Sequence, residues 1–148
     1  MCYMTLLSTT STEDLAIGNN DLVRFSRVLP GLPEEKYLAF PYKWFVGSQA
    51  GCSCSFRHLY ITSVELGFGE PEDWFPEEEN DITATRQVIS VIRSLIERGE
   101  RVDVIDAWDD GKTEAVPLGG DIEVNLKEVG NESFRFFENH RFSFDNRI

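Results

Sequence analysis

The chain has 148 residues, 41% hydrophobic and 12% aromatic, the size and apolar content of one folded domain rather than a disordered segment. Twenty-six acidic side chains face fourteen basic ones, a formal net charge of -12. Such a surface sets carboxylates against phosphates, which argues against nucleic-acid binding and against docking onto anionic lipid, and leaves a basic protein partner or a cationic ligand open.

No apolar run approaches the length of a membrane span. Met1-Cys2-Tyr3-Met4-Thr5-Leu6-Leu7 has no Lys or Arg ahead of its short apolar stretch and is too short for a secretory signal, so a cytoplasmic location is expected. Three cysteines, an odd number in a chain that needs no bridges to fold, fit that compartment.

In chain order, Cys2 to Ser8 reads as a strand, apolar and without helical spacing. Ser11-Thr12-Glu13-Asp14 opens a short helix toward Ile17, stopped by Gly18-Asn19-Asn20. Leu22 to Leu29 alternates as a strand, and Pro30-Gly31-Leu32-Pro33 breaks it. Glu34 to Leu38 is one helical turn, Trp44-Phe45-Val46 a strand, and Phe56 to Leu66 a longer strand after the Gly47–Gly51 turn.

Glu70 to Asp81 carries seven acids, two prolines and no base, and reads as a solvated loop. The long helix follows, with Asp81 as expected N-cap. Val88, Ile89, Ile92, Leu95 and Ile96 fall on one face, and Gly99 ends it. Arg101 to Trp108 is a strand whose phase shifts at Val104-Ile105, the mark of a bulge or of burial on both faces. Asp109-Asp110-Gly111 is a hairpin-type turn signal, and Asp121 to Lys127 alternates cleanly as a strand. The Phe134, Phe136 and Phe137 segment is read as a short helix before a strand through Phe142 and Phe144. The predicted class is one α+β domain over residues 1–148: a mostly antiparallel sheet with one long amphipathic helix and one or two short helices on one face. The regular β-α alternation and glycine-rich first turn of a nucleotide-binding sheet are missing.

Two places carry candidate chemistry. In Gly51-Cys52-Ser53-Cys54-Ser55-Phe56-Arg57-His58, three readings compete. Thiolate and imidazole are preferred zinc ligands, so Cys52, Cys54 and His58 form a candidate metal site, with Cys2 or His140 as fourth ligand. In an extended segment the two cysteine Cβ atoms stand roughly 7 Å apart, so a turn must draw them together. Alternatively, Cys52 and Cys54 act as a strained redox pair near Arg57 or His58, or they are buried small hydrophobes along a strand. The second place is the acidic segment, where Trp74 and Phe75 stand among Glu72, Asp73, Glu77 and Glu78. Aromatic anchors ringed by carboxylates suit a basic protein surface; alternatively, Trp74 and Phe75 fold back onto the core while the acids stay solvated. Asp103, Asp106, Asp109 and Asp110 read as the exposed side of a strand and turn, and His140 as a surface or capping histidine. The leading expectation is a non-catalytic binding module that meets a protein partner through the acidic, aromatic segment. The alternative is a zinc- or thiol-dependent protein centred on the Cys-x-Cys-x3-His cluster.

Overall fold

A computed structural model describes residues 1–144. The strands are β1 (Cys2–Thr9), β2 (Val23–Ser26), β3 (Tyr42–Ser48), β4 (His58–Leu59), β5 (Val102–Asp109), β6 (Gly120–Val124), β7 (Phe136–Phe137) and β8 (His140–Phe144). The one α-helix among these residues is α1 (Glu79–Glu97). The main sheet runs β2-β3-β1-β5-β8-β6, and all its pairings are antiparallel except β6 with β8. A small parallel pair, β4 with β7, lies apart from it. The class is α+β with a mostly antiparallel sheet, as the pattern predicts. No helix among the described residues is long and apolar enough to cross a membrane.

The sheet is buried on both faces, which explains the phase shift in the fifth strand. β1 and β5 pair without interruption from Cys2 opposite Asp109 to Thr9 opposite Val102, so there is no bulge. Leu7 and Val104 face the cluster that includes Val88, Ile89, Ile92 and Leu95 of α1. Leu6 and Ile105, one residue out of phase, face a second cluster closed by Leu32 and Leu38. Those two leucines bracket a short 3-10 turn at Pro33–Tyr37, and a second such turn, Leu15–Gly18, is capped by the Asp14 side chain.

Several local expectations give way to tertiary structure. The helix starts at Glu79 behind Glu78, two residues before Asp81. The predicted strand over Phe56–Leu66 survives only as His58–Leu59, because the chain turns outward at the exposed Tyr60 and Ile61. Gly111, with φ at +83°, makes its turn, but the next strand does not return beside β5, since β8 lies between β5 and β6. The Phe134–Phe137 segment is extended rather than helical. Phe136 and Phe137 pair with His58 and Leu59, and a turn with Asn139 at φ +59° leads into β8. Asp103 and Asp106 are not exposed. They sit on the central strand β5, 2% and 0% accessible, where Ser8 donates to Asp103.

Candidate functional site

The Cys-x-Cys loop is held in place by two hydroxyls. Ser53 donates from its backbone N–H to the Tyr3 carbonyl (2.9 Å) and from Oγ to the Val46 carbonyl (2.5 Å), and its Oγ accepts from Thr5 N–H (2.8 Å). Ser48 Oγ donates to the Cys52 carbonyl (2.6 Å) and accepts from Ser55 N–H (3.1 Å), while Gly51 makes the turn at φ +89°. This anchoring brings the loop against the start of β1. The sulfurs of Cys2, Cys52 and Cys54 then lie within 4.8 Å of one another, all three free and half-buried. Tyr3 N–H donates to Cys54 Sγ at 3.3 Å. Burial opposes a thiolate at Cys52, but the thiols of Cys54 and Cys2 donate to it and hold it below its ordinary value. Burial and the neighbouring Cys52 sulfur push Cys54 up to about 12.

His58 does not join the sulfurs, which corrects the Cys52–Cys54–His58 grouping expected from spacing. β4 carries its ring across onto Tyr3, stacked at 4.0 Å between centroids and 6° between planes. Nδ1 lies 2.8 Å from Asp106 Oδ2, and Nε2 lies 2.6 Å from the Ser53 carbonyl. Both partners are acceptors, so both ring nitrogens carry protons, and the pair is an imidazolium against a carboxylate. Burial works against that charge. The Asp106 carboxylate and the Ser53 carbonyl outweigh it and hold the imidazole above its ordinary value. His58 is thus a clamp between the cysteine loop and the central strand. His140 is likewise remote from the sulfurs: it is buried on β8 with Nδ1 2.8 Å from the Glu138 carbonyl. Of the two fourth ligands considered from the sequence, Cys2 is present in the cluster and His140 is not.

The acidic segment divides. Trp74 is 66% exposed, with its indole N–H donating to Glu72, and Asp73 and Glu78 are exposed beside it. Phe75 is half-buried with the Arg135 guanidinium 5.3 Å over its ring. Glu77 turns inward, so it serves the fold rather than presenting a carboxylate to a partner. Arg57 grips it in a bidentate pair (2.8 and 2.9 Å), and Arg135 adds a contact at 3.2 Å. The remaining Arg57 donors go to the carbonyls of Gly69, Glu132 and Phe134, so a 2% accessible guanidinium has all five N–H groups satisfied. Burial disfavours the Glu77 charge, yet the two arginines keep its carboxyl below the usual range.

These two places form one cleft of about 480 Å³. Tyr3, Cys54, Phe56, His58 and Tyr60 make one wall, and Phe75, Pro76, Glu77, Glu78 and Asp81 make the other. Its two cationic side chains are already spent: Arg57 on Glu77 and His58 on Asp106. Glu78 and Asp81 have no ion-pair partner among the described residues. Burial and the adjacent Glu78 raise the Asp81 carboxyl above its ordinary value, and the charge on His58 offsets only part of that. Tyr3 is unsuited to proton transfer. Its hydroxyl donates to Glu138 at 2.8 Å, and burial together with that carboxylate pushes the phenol up. Spacing alone does not reveal that Asp106 pairs with His58 or that Arg57 pairs with Glu77. The one available signal for Asp106 was its place in a strand otherwise rich in apolar residues.

Comparison of the chain with protein-family models, with curated proteins and with solved structures finds no match.

Proposed function

We propose that this protein is a cytoplasmic, non-catalytic binding module that receives a basic segment of a protein partner in the cleft between the cysteine loop and the acidic segment. A lysine or arginine of the partner lies between Glu78 and Asp81, its aliphatic stem against Tyr60 and Phe75, and Trp74 anchors the rim. The observation that carries the reading is the charge balance of the cleft: its cations are paired internally, and the two charges left without an ion-pair partner among the described residues are carboxylates. A cation placed there relieves the Glu78–Asp81 repulsion, and the overall charge of -12 steers a basic partner toward the site.

The non-catalytic part of the reading rests on the groups in the cleft that have acid, base or nucleophile chemistry. His58 has both nitrogens engaged, the Tyr3 phenol is pushed up, and the Cys54 thiol is pushed up to about 12. None of these three is poised to move a proton or attack a carbonyl near neutral pH, and the Asp81 carboxyl, though raised, has no nucleophile beside it in the cleft to activate among the described residues.

The test is calorimetric titration with arginine- and lysine-rich peptides carrying a flanking leucine, at two salt concentrations. Binding is expected to weaken at least tenfold in Glu78→Gln/Asp81→Asn. It is expected to stay nearly constant in Glu123→Gln/Glu128→Gln, which removes two exposed carboxylates elsewhere. Equal losses in the two variants would mean that general charge attraction, not the cleft, holds the peptide, and the proposal would be wrong.

A further inference from the structure

The cluster of Cys2, Cys52 and Cys54, of which Cys54 lines the cleft, is not absorbed by partner binding. We infer that these three sulfurs form an all-thiolate site for one copper(I) ion, independent of whatever occupies the cleft. Four observations carry this. The first is distance. A metal held at about 2.3 Å by three sulfurs at the corners of a triangle needs S···S separations of roughly 4.0 Å. The three Sγ atoms already lie within 4.8 Å of one another, so rotamer adjustments of well under an ångström close the site.

The second is the donor set. Among the described residues, no imidazole or carboxylate joins these sulfurs in a cluster of that size. The neighbouring histidine is committed to Asp106 and Ser53 through both nitrogens. Soft thiolates without harder company select a soft ion, and copper(I) is satisfied by three of them, whereas structural zinc takes four ligands. The third is preorganisation. Ser53 and Ser48 fix the loop that carries Cys52 and Cys54, and Cys2 is fixed by the β1–β5 pairing opposite Asp109, so loading orders little new backbone. The fourth is the second layer. Tyr3 N–H donates to Cys54 Sγ, the kind of contact that orients a ligating sulfur and offsets its charge.

Loading is a ligand exchange with no electron transfer. Copper enters as the monovalent ion and stays so. Each Cys S–H bond that is broken leaves its electron pair on sulfur for the metal, and the proton passes to solvent. A reducing, thiol-rich compartment holds both the cysteines and the copper in the required state.

The experiment is an anaerobic titration of the full chain with copper(I) against a colorimetric copper(I) chelator, followed by X-ray absorption of the loaded protein. One copper per chain is expected, with three sulfur neighbours and no nitrogen in its inner shell. Cys2→Ser, Cys52→Ser and Cys54→Ser are each expected to lower the affinity at least a hundredfold. The three cysteines are only half-buried, and circular dichroism of each variant checks that the fold survives. Because the absorption measurement uses the unmutated chain, it decides the case even if a variant misfolds. Copper at fewer than three sulfurs, a nitrogen scatterer, or stoichiometric tetrahedral zinc that copper(I) does not displace would each overturn the assignment.

Discussion

Replacing Asp106 with asparagine is expected to reverse the sign of the His58 contribution to this protein's pH dependence. In the wild type, His58 is protonated between Asp106 and the Ser53 carbonyl, with its folded pKa held above the ordinary 6.5. That contribution to stability is complete below pH about 6.5, where the unfolded chain is protonated too. It declines as pH rises through the raised folded value, with a slope of at most about 1.4 kcal/mol per pH unit. Asparagine has nearly the same shape and no charge. Neutral His58 still donates from Nε2 to Ser53, and its bare Nδ1 accepts from the new amide. The amide oxygen still accepts from Thr5, and only the second amide N–H is left without a shown partner, so Asp106→Asn is expected to cost only about 1–2 kcal/mol near neutral pH. Burial, the largest influence on His58, is then opposed only by the more distant Asp81 and the Ser53 carbonyl, so the folded pKa is expected to fall below 6.5, and stability is lost as pH drops instead of as it rises. Asp106→Ala leaves a ring nitrogen unpartnered and is expected to cost about 3–5 kcal/mol. The assay is urea denaturation of wild type and Asp106→Asn from pH 5 to 9, read as the difference between them, which cancels the other titrating groups. The wild-type advantage should shrink steadily as pH rises. A flat difference, or one that grows, would refute the buried imidazolium–carboxylate pair.

Glu77→Gln removes the carboxylate from two buried guanidiniums and is expected to cost about 3–5 kcal/mol, with faster hydrogen exchange across residues 67–78. Because its folded carboxyl lies below the usual value, the wild-type stabilisation from Glu77 is full above pH about 4.5 and is lost as pH falls further, which acid denaturation of the two proteins compares. Trp74→Ala should leave the urea midpoint within about 0.5 kcal/mol of wild type while weakening peptide binding by about 1–2 kcal/mol, since the ring is largely exposed. A Cβ on Gly120 lies 2.8 Å from His140 Cδ2, and one on Gly130 meets nothing within 4 Å. Gly120→Ala is therefore expected to cost about 1–3 kcal/mol and Gly130→Ala to be near neutral by thermal melting.

What was legible in the sequence is what depends on local period. The helix face of Val88, Ile89, Ile92, Leu95 and Ile96 is buried as its spacing demands. The two-residue alternation found most of the sheet, and the composition of 70–81 found an exposed acidic segment around Trp74. What was not legible depends on partners far along the chain. Cys54 and His58 are four residues apart, yet β4 begins at His58 and sends its ring to Asp106, 48 positions away. Asp103 and Asp106 alternate like solvent-facing residues, and only the arrival of Ser8 and His58 makes their burial tolerable. The Phe134–Phe137 segment has aromatics too closely spaced to separate helix from strand by pattern. Pairing with β4 decides it. Glu77 looks the same in sequence as Glu78, and only Arg57 and Arg135 distinguish them.

The position of β1 has a consequence for how this molecule comes into being. It is the strand nearest the amino end, it lies in the interior of the sheet, and its partner on one side is β5, with Thr5 and Asp106 101 positions apart. During synthesis, Leu6 and Leu7 leave the ribosome long before anything exists to cover both sides of them. Closing such long loops precedes the contacts that reward it, so a topology of this kind condenses slowly and late. Cys2 and Tyr3 belong to that same strand, and the loop that carries Cys52 and Cys54 binds it through Ser53, so the sulfur cluster draws its ligands only from the first 55 residues, whereas His58 waits for Asp106. Until β5 docks, the clamp between the cysteine loop and the central strand is missing, and the thiols and the aromatic strand are within reach of chaperones and of other nascent chains.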